Sequence, residues 1–264
     1  MSAATSRQPI LEMNGVQVTA LRDASLVVLE NVNWTVLPGE FWVVAGAPHA
    51  GKSDLLLGVA GLTMPGEGVC RLFGIGTNEL GENRLSERLR VGYVFADGRL
   101  FHQLTLAENI ALPLQYHRNL SAAEAAPTVA TLMEMLELTP FADSTPGNVA
   151  TVWRHRAALA RALALKPELL LLDNPTSGLT ARHRQWLVDF LDQLSQGHEF
   201  LDRRPATIIV TTEDLPIWQH PDRRFAALHA RAFTTLGAWG TPEFASHQAV
   251  LELLVAPPEP KENP

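Results

Sequence analysis

The sequence predicts an α/β fold with a mostly parallel sheet, and three observations support this prediction. Short apolar runs, of the length that forms strands buried on both faces, recur along the chain. Amphipathic segments with helical spacing alternate with these runs, which is typical of a parallel sheet connected by helices. A glycine-containing loop follows the first run directly. The three runs are FWVVAG (41–46), ELLLLD (168–173) and ATIIVTT (206–212).

The N-terminal region alternates between apolar and polar residues, as strands do. Residues 10–37 show this alternation, most clearly at Val32, Trp34 and Val36, which would share one face of a sheet. A turn at residues 38–39 separates this region from the first buried run. We therefore expect strands from residue 10 up to the loop.

A phosphate-binding motif follows the run at 41–46. Gly46, Gly51, Lys52 and Ser53 match the pattern G-x-x-x-x-G-K-[ST]. In such a loop, backbone N–H groups and a helix N-terminus surround a phosphate, the lysine reaches its oxygen atoms and the hydroxyl binds magnesium. The apolar residues that follow have helical spacing, so strand, loop and helix occur in the order that the motif requires. These residues are Leu55, Leu56, Val59 and Leu62.

Two other interpretations of the loop stay open. Given average residue usage, the pattern arises by accident on the order of once in a hundred chains of this length. The apolar run before it argues against an accident, because chance would not place a strand there. The loop could also keep its shape without holding a ligand.

The middle of the chain is predicted to be mainly helical. A strand ends near Phe95, and helical patterns dominate from residue 101 to residue 163. Ser121 and Glu124 have the spacing of a capping box, which marks a helix N-terminus. Pro127 would kink or shorten a helix that continued through it.

The C-terminal part predicts a helix, a strand and a hairpin in turn. Residues 182–194 form an amphipathic pattern, residues 206–212 form the third apolar run, and residues 224–237 form a late hairpin. Residues 251–264 end in a segment rich in proline and charge. We expect these last residues to be a mobile tail.

An acidic residue, Asp173, follows the apolar residues 169–172. In phosphate-loop proteins, a carboxylate after a buried strand organises magnesium. Together with the hydroxyl of Ser53, it forms the predicted magnesium site. Taken alone, an aspartate in this place would be an ordinary strand-end or turn residue, and this alternative stays open. The single cysteine, Cys70, and the nine histidines show no metal-ligand spacing, so the sequence predicts no other metal site.

The composition argues against several classes of protein. The net charge of -7, from 21 basic and 28 acidic residues, disfavours a general nucleic-acid binder, whose footprint would be a basic patch. No apolar run approaches the roughly 20 residues needed to span a bilayer, and residues 1–13 lack the pattern of a signal peptide. We expect a cytoplasmic protein without a nucleic-acid partner.

The segment from Ala158 to Leu179, together with the phosphate loop, closely resembles the nucleotide-binding domain of ATP-binding-cassette (ABC) transporters. Its sequence is ALARALALKPELLLLDNPTSGL. The resemblance covers nearly the whole chain. Within the family, three segments look most similar to the ATPase subunits of MCE/Mla-type phospholipid transporters. These segments are DGRLF (97–101), ENIALPL (108–114) and RAALARALAL (156–165).

The resemblance implies a P-loop NTPase (RecA-like) core with a mostly parallel sheet, an antiparallel β subdomain and an inserted helical subdomain. It implies one nucleotide-binding domain over residues 9–250, with the helical subdomain at about 100–160, and it implies ATP and Mg²⁺ as cofactors. The partners would be a membrane permease, whose coupling helix enters a groove near residues 96–104, and a second ABC ATPase subunit in a head-to-tail homo- or heterodimer. The protein would then lie peripherally on the inner face of the cell membrane.

The resemblance assigns nucleotide binding to the whole loop, but two residues depart from the family. His49 replaces a glycine, and Asp54 replaces a hydroxyl residue that touches phosphate. The Asp54 carboxylate would repel a phosphate, although an acid in a first helical turn suits the helix dipole. We therefore expect Asp54 to satisfy part of the site that ATP would otherwise occupy. The predicted binding set is Gly46, Ala47, Pro48, His49, Ala50, Gly51, Lys52, Ser53 and Asp54.

Three catalytic positions of the family carry residues that cannot do the same chemistry, so no catalytic residue is predicted to be intact. Ala96 replaces a glutamine and can neither ligate magnesium nor orient a water. Asn174 replaces a glutamate, and an amide cannot take the proton of an attacking water. Glu213 replaces a histidine, which puts an anion where a partner of the γ-phosphate would be. We expect weak or lost binding of ATP and Mg²⁺.

The departures extend to the parts of the family's site that contact the partner subunit and the base. The signature LSGGQ aligns with VATVW at residues 149–153, where Thr151 and Val152 replace the glycines that let backbone amides approach phosphate. Leu21 stands near the aromatic residue that stacks on adenine, and Thr180 replaces an aspartate of the dimer contact. Both ATP sites would therefore be impaired, whether the chain pairs with itself or with an intact ATPase subunit.

Two hypotheses follow. The first is a catalytically degenerate ABC subunit that keeps its fold and docks on a membrane permease, with lipid transport as the candidate process. The second is a functional but slow transport ATPase in which other residues replace the missing ones. A soluble, non-transport ABC protein or another phosphate-loop class also stays open. A GTPase is disfavoured, because the base-reading motif N-K-x-D is absent from the sequence.

Overall fold

In the computed structural model of the 264-residue chain, the described residues are 8–79, 84–237, 239–241, 244, 247 and 250. The expected tail at 251–264 lies outside the described residues. Within them, ten strands form one sheet. The strands are β1 (Leu11–Ala20), β2 (Asp23–Val36), β3 (Phe41–Gly46), β4 (Val69–Leu72), β5 (Ile75–Gly76), β6 (Val91–Val94), β7 (Leu169–Leu172), β8 (Thr207–Thr212), β9 (Arg223–His229) and β10 (Ala232–Thr235).

The sheet has a parallel half and an antiparallel half, in the order β5-β4-β1-β2-β10-β9-β3-β8-β7-β6. Strands β9, β3, β8, β7 and β6 pair in parallel. Strands β5, β4, β1 and β2 pair antiparallel, and the late hairpin of β9 and β10 joins the two halves. The predicted α/β fold of a P-loop NTPase, with a mostly parallel core and an antiparallel β subdomain, is confirmed.

Strands β3, β7 and β8 are buried at every position because both faces of the sheet are covered, and most of their residues are apolar. Along β3, Phe41 and Val43 point into a core on one face, with the helices of the middle of the chain. Trp42 and Val44 point into a second core on the opposite face, with the antiparallel strands. This alternation explains why the sequence shows a continuous apolar run and not an alternating one.

Six α-helices occur within the described residues, and three of them lie together in the chain between β6 and β7. No described helix is both long and apolar enough to cross a membrane. The helices are α1 (Lys52–Val59), α2 (Leu85–Arg88), α3 (Leu106–Arg118), α4 (Ala122–Met135), α5 (Thr151–Leu163) and α6 (Ala181–Gln196).

Helix α4 begins at the predicted capping box but does not break at its proline. The Ser121 N–H donates to Glu124 Oε2 at 2.8 Å, and the Glu124 N–H donates to Ser121 Oγ at 3.3 Å. Of the two effects expected of Pro127, a kink or a shortening, the shortening does not occur, since α4 continues to residue 135. Pro127 and Ala123, whose carbonyl loses its helical donor, are both exposed, so solvent can satisfy that carbonyl.

Candidate functional site

The parallel strands bring the predicted site residues to one edge of the sheet. Strand β3 runs into the phosphate loop, β7 ends before Asp173, and β8 ends before Glu213. The register pairs Ala45 of β3 with Thr212 of β8, so the residues that follow them leave the sheet side by side. Ligands of open α/β sheets bind at this carboxyl edge.

The two glycines of the motif suit the loop for different reasons. Gly51 precedes α1 with a φ of +90°, a conformation that favours glycine. A Cβ on Gly46 would lie 3.1 Å from Leu228 Cβ and 3.2 Å from Ala50 Cβ, so a side chain there would require these neighbours to shift by a few tenths of an ångström. His49, where the family has glycine, also takes a positive φ, of 64°. The loop therefore keeps the shape that the motif specifies.

The Lys52 ammonium group is fully engaged by the chain's own oxygen atoms. Its side chain is 6% exposed, and Nζ donates to the carbonyl oxygens of Gly46 at 2.8 Å and Ala47 at 2.6 Å. Its third contact is an ion pair with Glu213 Oε1 at 3.0 Å. An ammonium has three N–H donors, so these three partners use all of them.

Asp54 does not take the place that the sequence suggested for it. Its Oδ1 accepts a hydrogen bond from the Leu21 N–H at 3.0 Å, which ties the turn between β1 and β2 to the start of α1. The acid in contact with Lys52 is Glu213. The expectation that Asp54 satisfies the site is therefore corrected, because the β8 register, and not position along the loop, decides which carboxylate reaches the lysine.

The predicted magnesium residues differ in their surroundings. Ser53 is exposed at the start of α1, whereas Asp173 is buried, with 6% exposure. The Thr211 hydroxyl donates to Asp173 Oδ1 at 3.0 Å and accepts from the Asn174 N–H at 3.0 Å. Thr211 thus fixes both the predicted metal ligand and the residue that follows it.

The other two catalytic positions of the resemblance, Asn174 and Ala96, follow the ends of β7 and β6. Asn174 has a φ of 44°, in the left-handed region that asparagine enters more readily than most residues. Ala96 is exposed after β6, and it lines the same small cavity as His155 of α5. Burial lowers the pKa of His155, whose Nδ1 finds no hydrogen-bond partner within the described residues.

A small apolar cavity separates α5 from the sheet beside Ala96. Its volume is about 20 Å³, which is room for about one water and not for a ligand.

The Arg156 guanidinium carbon lies 3.5 Å from the Trp186 ring centroid and 5.0 Å from that of Trp153. This cation between two indoles joins α5 to α6, and nothing in the sequence pattern indicated it.

The segment aligned with the family signature forms the start of α5. Ala150 precedes the helix, and no side chain caps it. The Arg154 guanidinium donates to the Val149 carbonyl oxygen at 3.0 Å and to Thr151 Oγ1 at 2.8 Å. The side chain of Arg154 therefore folds back onto the first residues of the segment that aligns with the signature.

Comparison with known proteins identifies the family. The family model described as ABC transporter matches residues 29–177, more than half of the chain. The chain belongs to the ABC transporter family. Methionine import ATP-binding protein MetN 2 of Paraburkholderia xenovorans is 30% identical over 261 residues, covering 96% of this chain and 66% of that protein. Sulfate/thiosulfate import ATP-binding protein CysA of Gloeobacter violaceus is 32% identical over 248 residues, covering 86% of this chain and 70% of that protein.

The fold of the chain is also similar to that of solved ABC cassettes. The dimeric cassette MJ0796 bound to ADP and Pi superposes with a TM-score of 0.74 at 28% identity, covering 87% of this chain and 100% of that one. The sequence-based family prediction is confirmed. The narrower likeness to phospholipid transporters is not shared by these relatives, two of which are named as import proteins. The chain spans 66% of the length of the MetN 2 relative.

Proposed function

We propose that this ABC-family chain is a transporter subunit that has lost efficient ATP hydrolysis and docks on a membrane permease. The proposal rests on the identity of the residue after Asp173, which is an asparagine and not a glutamate. Asn174 lies at the carboxyl edge of the sheet, with its backbone held by Thr211, where a glutamate would act as a base. A positioned base contributes about 10²–10⁴-fold to a rate, and a neutral amide contributes none of it.

The remaining groups fit nucleotide binding only in part. Mg²⁺ would be held by the Ser53 hydroxyl and the free oxygen of Asp173, and it would arrive with the nucleotide, because no cluster of three or more potential ligands occurs among the described residues. The loop backbone could surround phosphate, but the ion pair between Lys52 and Glu213 would have to break before Lys52 could contact the phosphate. These features support weak binding of ATP and Mg²⁺. The bound nucleotide would supply the phosphoanhydride bond, whose hydrolysis the chain does little to promote.

The permease would dock at the loop that follows Ala96. Phe101 in this loop is an exposed aromatic residue, with 52% of its surface accessible. The fully buried Asn109 holds the loop, since its Oδ1 accepts from the Phe101 N–H at 2.8 Å and its Nδ2 donates to the Phe101 carbonyl at 3.0 Å. Arg161 donates to the Gly98 carbonyl at 2.9 Å from the other side. A rigid backbone that presents an apolar side chain suits a protein partner.

Phe101→Asp is expected to abolish co-purification with a permease from detergent-solubilised membranes, because a charge would replace the apolar anchor. Wild-type recovery should be the same with and without Mg-ATP. Met64→Asp is the matched control, since Met64 is also an exposed apolar residue, at 58%, but lies beside the antiparallel strands. Recovery of the wild-type chain alone in both conditions, or an unchanged complex with Phe101→Asp, would refute docking at this surface.

The alternative function is a slow transport ATPase in which other residues perform the missing steps. Turnover that depends on Lys52 would favour this alternative.

The transported compound is a further part of the proposal. Phospholipid transport rests on the three short segments alone, whereas the named relatives import methionine and sulfate or thiosulfate. Either function places the chain on the cytoplasmic face of the membrane, paired with itself or with a second ATPase subunit.

A further inference from the structure

We propose that Glu213 is the residue that decides whether the phosphate loop accepts a nucleotide, because its carboxylate stands in for the phosphate on Lys52. This inference rests on the proposed function, since it names the regulation of the same site. The starting point is the ion pair between Lys52 Nζ and Glu213 Oε1, at 3.0 Å. Glu213 is the one anionic partner of the ammonium group, since the other two partners are backbone carbonyl oxygens.

The turn that carries Glu213 is fixed on both sides. The Thr212 hydroxyl accepts from the Asp214 N–H at 3.0 Å and from Trp218 Nε1 at 3.1 Å. Arg184 Nη1 lies 2.7 Å from Asp214 Oδ2. The backbone before and after Glu213 is therefore held, so the carboxylate is presented to the loop at a high effective concentration and does not reach it by chance.

The neighbouring carboxylates are occupied elsewhere. Asp54 accepts from the Leu21 N–H, and Asp173 accepts from the Thr211 hydroxyl, at 3.0 Å in each case. Within the described residues, neither forms an ion pair with Lys52. Glu213 alone of these three acids neutralises the lysine, which makes its removal a selective change at the site.

The exposures of the two side chains allow a ligand to displace Glu213 from Lys52. Lys52 is 6% exposed, whereas Glu213 is 41% exposed. The glutamate can swing toward solvent, while the lysine stays against the loop carbonyls. A triphosphate must therefore compete with an anion that belongs to the chain, and this competition lowers its apparent affinity.

Glu213→Gln is expected to tighten Mg-ATP binding by about tenfold, because the ion pair with Lys52 in the unliganded state is replaced by a weaker hydrogen bond to a neutral amide oxygen. Isothermal titration calorimetry of the full chain measures this change. Glu168→Gln is the matched control, since Glu168 is a 40% exposed acid whose partner is Arg90. The control should bind as the wild type does, and Glu213→Gln combined with Lys52→Ala should lose the gain.

Glu213→Ala provides a second variant without the carboxylate, and thermal unfolding checks that each variant is folded. Unchanged or weaker binding of Mg-ATP by folded Glu213→Gln and Glu213→Ala would overturn the inference. That result would leave the proposed function standing, because loss of hydrolysis depends on Asn174. Lys52-dependent turnover by the wild-type chain would contradict the proposed function, while a tenfold gain in these variants would still support the role of Glu213.

Discussion

Trp218→Ala is expected to lower the free energy of unfolding by about 3–5 kcal/mol, the loss typical of a large aromatic side chain removed from a core. Trp218 is fully buried, and its ring centroid lies 6.2 Å from that of Phe41. Its Nε1 also donates to Thr212 Oγ1, beside the turn that carries Glu213. The substitution therefore leaves a cavity and removes one support of the site.

Chemical denaturation at 25 °C measures this loss. Tyr116→Ala is the control, since Tyr116 is an aromatic residue with 79% exposure, and its removal should change the free energy of unfolding by less than about 0.5 kcal/mol. A loss below about 1 kcal/mol for Trp218→Ala would mean that the packing around this indole does not contribute as the burial indicates.

Hydrolysis of Mg-ATP is expected to be about 10²–10⁴-fold slower than in an ABC cassette with a glutamate at the position of Asn174, because the base for the attacking water is missing. Asn174→Glu alone should recover little of this rate. Ala96 and Glu213 would still differ from the family, and groups that act as a unit are not restored one at a time. The left-handed backbone at Asn174, with a φ of 44°, also suits asparagine better than glutamate.

Release of inorganic phosphate under steady-state conditions gives both rates. The comparison needs Asn174→Glu and the same variant with Lys52→Ala, so that contaminating activity is subtracted. Substantial Lys52-dependent turnover restored by Asn174→Glu alone would show that the other two positions are not impaired, and the account of the site would then be wrong.

The central strands could be predicted from sequence because burial on both faces leaves a continuous apolar signal. FWVVAG and ATIIVTT correspond to β3 and β8, and the acid after β7 lies at the predicted edge. The continuation of α4 past Pro127 could not be predicted in the same way. It depends on which face of the helix meets solvent, and this is set by tertiary packing.

The pairing of charges at the site required the structure. Lys52 and Glu213 are separated by most of the chain, and only the register of β3 against β8 makes them neighbours. The sequence placed Asp54 near the phosphate position because it is adjacent along the chain. Its bond to the Leu21 N–H depends on how the turn between β1 and β2 packs on α1. An acid directly after the strand beside the loop is the signal that could have indicated the contact.

The most direct test of the central proposal, that this ABC subunit has lost efficient ATP hydrolysis, is to compare the turnover of the purified chain and of its permease-bound complex with that of Lys52→Ala. Lys52 provides the control because every phosphate-loop mechanism needs its ammonium group. The account predicts equal rates for wild type and Lys52→Ala, both in the free chain and in the complex, provided that a partner ATPase subunit is absent. A wild-type rate clearly above that of Lys52→Ala in either state would contradict it.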